Sequence, residues 1–197
     1  MYKSCGLAIF AILSAVIGYF WYSHRFPSWK EEVVLADGRK IIVKQRRDYI
    51  EGYGTRKTWL TFSLPEMGGE QTWSESMSPV LIAVTPAHEV YVAGWPSGFN
   101  QSKMYNLPKY GYVAYKWNGS AFLRVPFLEI PREYRQETNI LRCFPRLAYI
   151  EWENKMEFGC DSKGHFSPNI SREIDLEKMK SWAIRNAKLN NVLPKSE

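Results

Sequence analysis

The chain has 197 residues, of which 26 are basic and 20 acidic, giving a formal net charge of +6, and aromatic side chains make up 15% of it. This length leaves too little chain for two comfortable domains, and the aromatic content favours one packed, β-rich core. The modest positive excess comes without a recognised nucleic-acid-binding motif, so nucleic acid is a poor candidate partner.

The amino-terminal stretch Cys5–Tyr22 is uncharged over eighteen consecutive residues. At a rise of about 1.5 Å per residue it would be about 27 Å long, close to the hydrocarbon thickness of a bilayer. Tyr19, Trp21 and Tyr22 lie where an interfacial aromatic belt is expected. The pattern predicts a single-pass transmembrane anchor over residues 1–23, followed by a joint over residues 24–28.

A cleaved signal peptide is the main alternative to a retained signal-anchor. The apolar run ends in Gly18–Tyr22, which is bulky where signal peptidase requires small residues, so retention is favoured. Positive charges flank both ends in nearly equal number, which leaves the topology weakly determined. We expect the amino terminus inside and residues 29–197 translocated, which makes this an inner-membrane protein with a β-rich domain facing the periplasm.

Three turn signals predict β-hairpins. Asp37-Gly38 and Asn118-Gly119 are typical of two-residue type I′ turns. Around the first, Val33, Leu35, Ile41 and Val43 would share a core face; around the second, Tyr112–Trp117 would pair with Ala121–Val125. A third hairpin is expected from Arg146–Trp152 and Met156–Cys160, joined through residues 153–155.

Other segments complete a mainly β fold. Further strands are predicted at Thr58–Leu64, Thr72–Ser78, Val80–Thr85 and Ala87–Ala93. Loops are predicted at Glu51–Lys57 and Gly94–Lys109, and a helix from about Asp175 to Asn190 presents an apolar face that would cover the sheet. We expect an antiparallel meander of hairpins with a carboxy-terminal helix; a sandwich, an open barrel and a small propeller-like sheet all fit.

Two groups of residues are candidates for binding a ligand or partner. Exposed aromatic rings offer large contact area at low entropic cost, and the rings in and beside the proline-rich loop are Trp95, Phe99, Tyr105, Tyr110 and Trp117. Basic residues concentrated early in the chain predict either a solvated strand edge or an anion-contacting surface; those assigned to anion contact are Lys44, Arg46, Arg47, Arg56 and Lys57.

Cys143 and Cys160 are the two cysteines outside the apolar run, and in an oxidising compartment they predict a disulfide. A metal site or thiol nucleophile formed by these cysteines with Asp161 and His165 matches no known ligand spacing. His24 and His88 are better explained as interfacial and surface residues. We therefore assign no catalytic residue, no metal and no cofactor.

The segments WKEEVVLADGRKIIV, TWSESMSPVLIAVT and YVAYKWNGSAFLRVP, with Glu129–Tyr134, resemble a group of uncharacterised short exported proteins of Gram-negative bacteria. The resemblance implies an envelope location and a single β domain, with no known activity. We expect a non-enzymatic, membrane-anchored module that binds an envelope protein or polymer. The alternative is a hydrolase or transferase acting on an envelope glycan through carboxylates that the sequence does not identify. A catalytic pair among Glu129, Glu133 and Glu137 is less favoured than a solvated helix face, because these residues lie beside Arg132 and Arg135.

Overall fold

The fold is taken from a computed structural model, which describes residues 2–50, 54–96, 98–141, 148–160, 166–168 and 173–190. Within these ranges the side chains of residues 2–9, 11, 20, 50, 54, 156–160 and 166–168 lie outside the description.

Strands dominate the described residues. They are β1 (Ser28–Val34), β2 (Lys40–Ile50), β3 (Gly54–Leu64), β4 (Gly69–Glu75), β5 (Ser78–Val84), β6 (Val90–Trp95), β7 (Val113–Trp117), β8 (Phe122–Val125), β9 (Tyr149–Ile150), β10 (Phe158–Cys160) and β11 (Phe166–Pro168). The α-helices are α1 (Tyr2–Arg25), α2 (Phe99–Met104), α3 (Trp152–Glu157) and α4 (Leu176–Leu189), and short 3-10 helices occupy Pro65–Met67, Phe127–Glu129 and Arg132–Tyr134.

The strands form two large sheets and one small one. The first sheet has the order β4-β3-β2-β1-β9, and the second has the order β5-β6-β7-β8. Neighbouring strands are antiparallel except β1 and β9, which run parallel. Strands β10 and β11 pair separately. The expected mainly β fold built from hairpins is confirmed.

The main core lies between the two large sheets. Leu60 and Phe62 of β3 belong to the same buried cluster as Ile82 of β5 and Val92 of β6. Alternation along each strand sends every second side chain into this layer, as in a β-sandwich. The inner face of the five-stranded sheet is thereby buried, and its opposite face lies outside this core.

A second core covers the other face of the four-stranded sheet. Tyr91 and Ala93 of β6 pack there with Phe127, and Met179 of α4 packs against the same cluster. Strand β5 is consequently buried along its whole length, which explains its continuous apolar sequence. Helix α4 begins at an N-cap, since the Asp175 side chain accepts from the Lys178 backbone N–H. The prediction that this helix covers the sheet is confirmed.

The turn type expected for the first two hairpins is wrong. A type I′ turn needs positive φ at both central residues, whereas only Gly38 and Gly119 adopt it within these turns. In the first hairpin the Gly38 N–H donates to the Leu35 carbonyl and the Leu35 N–H donates to the Arg39 carbonyl. The loop therefore has three residues, a type I turn followed by a left-handed glycine. In the second, the Asn118 side chain accepts from the backbone N–H groups of residues 120 and 121.

The third predicted hairpin is also wrong. Residues expected to turn between two strands instead form helix α3, and the preceding strand β9 pairs with β1. The Lys155 ammonium is the reason, because it reaches a buried carboxylate that a turn would leave unpaired. Two loop predictions need similar correction, since β3 already begins at Gly54 and α2 occupies part of Gly94–Lys109.

The amino-terminal segment forms the continuous helix α1 of 24 residues. Its described apolar side chains are exposed, among them Phe10, Leu13 and Ile17. In the part of the chain that the structure describes, no helix reaches the length and apolar content required to cross a bilayer.

Candidate functional site

The uncovered face of the five-stranded sheet is the candidate site. On β2, Val43 and Gln45 point into the protein, and Lys44 and Arg46 point outward. The same alternation on the neighbouring strands turns Lys30 of β1 and Lys57 of β3 outward. We call Lys30, Lys44, Arg46 and Lys57 the basic face. These residues lie on β1, β2 and β3, which are interior strands of the sheet. They are therefore not the charged residues of an edge strand.

Two of these cations are direct cross-strand neighbours. Lys30 of β1 pairs in register with Lys44 of β2. Like charges placed directly opposite each other on an antiparallel pair repel and destabilise it. No carboxylate among the described residues forms an ion pair with either lysine. Neither lysine is therefore ion-paired within the described structure, and Glu32, the acidic residue that follows Lys30 on this face, pairs with Lys40 instead.

Arg46 is held by aromatic rings at the same face. Its guanidinium donates to the Tyr22 hydroxyl at 2.9 Å and lies 5.2 Å from the Phe26 ring centroid and 5.3 Å from that of Trp59. Lys57 also lies over the Trp59 ring, with its Nζ 5.3 Å from the ring centroid. Such cation–π contacts fix the direction of a cation while leaving its charge uncompensated.

The basic face begins where α1 meets the sheet. Arg25, the last residue of α1, forms an ion pair of 2.9 Å with Asp48, and Asp48 pairs with Arg56 at 2.9 Å. Arg25 also donates to the Tyr49 carbonyl at 3.0 Å. These contacts join the end of the helix to the β2–β3 hairpin. Arg56 is exposed as expected, but its charge is balanced by Asp48.

The opposite end of this face is electrically mixed. Lys40 pairs with Glu32 at 2.9 Å and with Glu153 at 3.3 Å. Hydrogen bonds from the Trp152 backbone N–H, Lys40 and Tyr149 lower the pKa of Glu32 from 4.5 to about 2. This carboxylate therefore remains charged and satisfied, and uncompensated positive charge is confined to the end of the sheet near α1.

Arg47 does not belong with the anion-contacting residues. The alternation of β2 turns it inward, where it is 3% exposed and donates to the Gln45 side chain and the Leu141 carbonyl. Its guanidinium also lies 5.1 Å from the Trp29 ring. Residues adjacent in sequence thus have opposite roles, since Arg46 faces solvent and Arg47 belongs to a buried polar network.

That network is centred on a buried ion pair between Glu31 and Lys155, whose side chains are 0% and 2% exposed and lie 2.5 Å apart. Glu31 also accepts from Trp29, Gln45 and the Leu141 backbone. Lys155 donates in addition to two backbone carbonyls, so its three N–H groups are all used. Every partner is internal, which makes this a structural connection between β1, β2 and α3.

The predicted aromatic binding residues occupy different environments. Tyr105 is 7% exposed, and its hydroxyl donates to Glu75 and accepts from the Ser76 N–H. Trp95 packs edge-on against Trp182 of α4, and Trp117 packs against Phe122. Phe99 and Tyr110 are half-buried, and Lys109 lies over the Tyr110 ring. Internal contacts account for three of the five rings, and a common exposed aromatic surface is not evident.

The remaining chemical candidates give no reactive arrangement in the described part of the chain. Cys143, Asp161, His165 and the Cys160 side chain lie outside the described residues, so the predicted disulfide stays a prediction. No group of His, Cys, Asp and Glu able to hold a metal is found among the described residues. Of the suggested carboxylates, Glu129 lies 3.5 Å from Lys116, Glu133 is exposed in the 3-10 helix Arg132–Tyr134, and Glu137 is exposed where its backbone forms an isolated β-bridge with Glu173.

The sequence did not assign four residues to this surface: Lys30, Trp59, Tyr22 and Phe26. The signal for Lys30 was the strand period, since residues 28, 30 and 32 must lie opposite the buried face of Trp29, Glu31 and Val33. The aromatic contacts of Arg46 had no comparable signal, because they depend on how α1 meets the sheet.

Comparison with family models, with curated proteins and with solved structures finds no match for this chain. The resemblance to short exported bacterial proteins accordingly stays a prediction.

Proposed function

We propose that this protein is a membrane-anchored, non-enzymatic binding module that recognises an anionic partner through the basic face. The observation that carries the proposal is the in-register pair Lys30 and Lys44, which are exposed on interior strands and form no ion pair with a carboxylate of the described residues. An anion bound across the pair would relieve the repulsion that the free sheet tolerates.

The anchor part of the proposal rests on α1. The uncharged run Cys5–Tyr22 lies within this helix, which is continuous from Tyr2 to Arg25. The described apolar side chains point away from the protein; Ile17 is 67% exposed and Trp21 is 67% exposed. A helix that is apolar on all sides requires an apolar surrounding, and a lipid bilayer supplies it. We further propose an inner-membrane location with the sheets on the periplasmic side.

No specific observation favours the glycan-acting enzyme. That function needs two carboxylates converging on an open pocket. One open groove of the described surface runs along α4, where Ser181, Ile184, Arg185, Lys188 and Leu189 line it without a carboxylate. The basic face is the better supported site.

The test is a binding titration of the full chain in zwitterionic phosphatidylcholine nanodiscs with inorganic polyphosphate. The variant Lys30→Glu with Lys44→Glu should weaken binding by about tenfold or more, and the affinity should fall steeply with salt. The matched control is Lys178→Glu with Lys188→Glu, which makes the same charge change on exposed residues of α4. Equal affinities for wild type and both variants would contradict the proposed site.

A further inference from the structure

We infer that the anion bound by the basic face is the phosphate of lipid headgroups in the same membrane that holds α1. The inference rests on the proposed function, because it needs α1 to be the anchor. The occupant of the basic face is then a layer of anionic phosphodiesters. The domain lies with its five-stranded sheet toward the bilayer surface.

The basic face lies beside the carboxyl end of α1. The Tyr22 hydroxyl, in the last turn of α1, accepts a hydrogen bond from Arg46, and the Tyr22 and Phe26 rings are 5.1 Å apart. Arg46 pairs with Ser28 at the first position of β1, and Lys30 and Lys44 follow two residues further along. Two residues of strand measure about 7 Å, within one Debye length at physiological salt. Wherever α1 leaves the bilayer, these cations are therefore within electrostatic reach of its surface.

The side chains around Arg46 are aromatic. Tyr22, Phe26 and Trp59 surround the arginine, and tyrosine and tryptophan are the residues that favour the membrane–water interface. The described contacts of Arg46 use one of its five N–H donors as a hydrogen bond, so the remaining donors can meet phosphate oxygens. Clustered cations beside a membrane anchor are attracted to anionic lipid, and the attraction falls off within a Debye length of the surface.

The layer order of the fold supports the same orientation of the domain on the membrane. The opposite surface of the molecule is formed by α4, which is also basic, since it carries Lys178, Lys180, Arg185 and Lys188 with the single acidic residue Glu177. What distinguishes the basic face from α4 is its place beside α1, shown by the hydrogen bond from Arg46 to Tyr22, so the face nearest the anchor is the one that an anionic surface attracts. A soluble polyanion would need no such relation to α1.

The experiment compares chemical protection of lysines in the full chain reconstituted into two kinds of vesicle. One contains phosphatidylcholine alone, and the other contains about one-third phosphatidylglycerol. A membrane-impermeant amine reagent labels the outward-facing protein, and mass spectrometry gives the labelling of Lys30 and Lys44 relative to that of Lys188 on α4. Normalising to Lys188 removes the effect of protein orientation in the vesicles. Resistance to alkaline carbonate is measured on the same samples.

We expect labelling of Lys30 and Lys44 to fall about fivefold in the anionic vesicles and to recover at about 0.5 M salt. Arg46→Gln should reduce this protection, whereas Arg185→Gln on α4 should leave it unchanged. Unchanged labelling in carbonate-resistant samples would overturn the lipid assignment and leave the anchored module standing. Protection by polyphosphate in phosphatidylcholine vesicles, without an effect of anionic lipid, would also overturn it. Loss of the protein in carbonate would overturn the anchor itself.

Discussion

At the scale of single residues, the sharpest contrast is between charges that are satisfied inside the protein and charges left open on its face. Lys155 is buried and uses all its donors, whereas Lys44 is exposed without an acidic partner in the described structure. The two lysines therefore respond differently to substitution. Removing the first should damage the fold, and removing the second should damage binding.

Lys155→Met should lower the free energy of unfolding by about 3–5 kcal/mol, because it leaves the Glu31 carboxylate buried and uncompensated. The double variant Glu31→Gln with Lys155→Met should recover part of that loss, since no buried charge then remains. Urea denaturation measures both. Lys180→Met is the control, because its pair with Glu177 is at the surface, 3.8 Å apart. A loss for Lys155→Met no larger than for Lys180→Met would refute the structural role of this pair.

Glu32 makes stability depend on acid pH. Its pKa is lowered from 4.5 to about 2 in the folded protein, so its contribution is present above the unfolded pKa and is lost as pH falls from about 4.5 to 2. Glu32→Gln should cost about 1–2 kcal/mol at pH 7, a figure kept small because the carboxylate is partly solvated. The difference between wild type and variant should shrink across that window in denaturation series. A constant difference down to pH 2 would contradict the assignment.

At the scale of elements, α4 is held against the four-stranded sheet at a place where a glycine is required. Gly111 has a φ of +70°, and an added Cβ would lie 2.8 Å from Met179 Cε of the helix. Gly119 also has positive φ, +98°, with open space around it. The two glycines separate backbone strain from contact with α4.

Gly111→Ala should therefore destabilise the protein more than Gly119→Ala, but only by up to about 1 kcal/mol beyond the strain that both share, because the flexible end of the Met179 side chain can move aside. The excess should be accompanied by faster amide hydrogen exchange in α4, which thermal melts alone would not report. Equal losses, with α4 exchange unchanged in Gly111→Ala, would show that the helix does not pack as described.

The elements also show what sequence reasoning can and cannot provide. Period-two alternation placed Val33, Val43 and Ile41 on the core side, and they pack there, because a one-residue slip would expose the whole apolar set. The same alternation should have separated Arg47 from Arg46, had it been followed past Val43. The turn type was unpredictable from Asp37-Gly38 alone, since that pair also serves a three-residue loop.

Helix α3 and the aromatic contacts of Arg46 had no local signal. Both depend on partners far along the chain: Lys155 meets Glu31, 124 residues away, and Arg46 meets Tyr22, 24 residues away. Residues 152–157 combine a polar composition with one buried cation, so local turn propensity and the long-range ion pair point to different structures. The ion pair prevails, because leaving Glu31 unpaired in the core would cost more than reshaping a turn.

At the scale of the whole molecule, the described structure has three layers beyond α1: the five-stranded sheet, the four-stranded sheet and the covering formed by α4 with the short helices. Two of the sheet faces meet in the main core and a third is covered by α4, so the outer face of the five-stranded sheet is the one left without a covering layer in the described structure. Helix α1 contacts this face through Arg25 and Tyr22, so the proposed anchor and the proposed site lie next to each other.

The most direct measurement is alkaline-carbonate extraction of the full chain from bacterial membranes. We expect the wild type to stay with the membrane and the double variant Leu13→Asp with Val16→Asp, which costs about 5–7 kcal/mol of insertion free energy, to be released. Ser181→Asp on α4 is the control and should leave retention unchanged. Complete release of the wild type by carbonate would contradict the anchor, and with it the placement of the basic face against lipid.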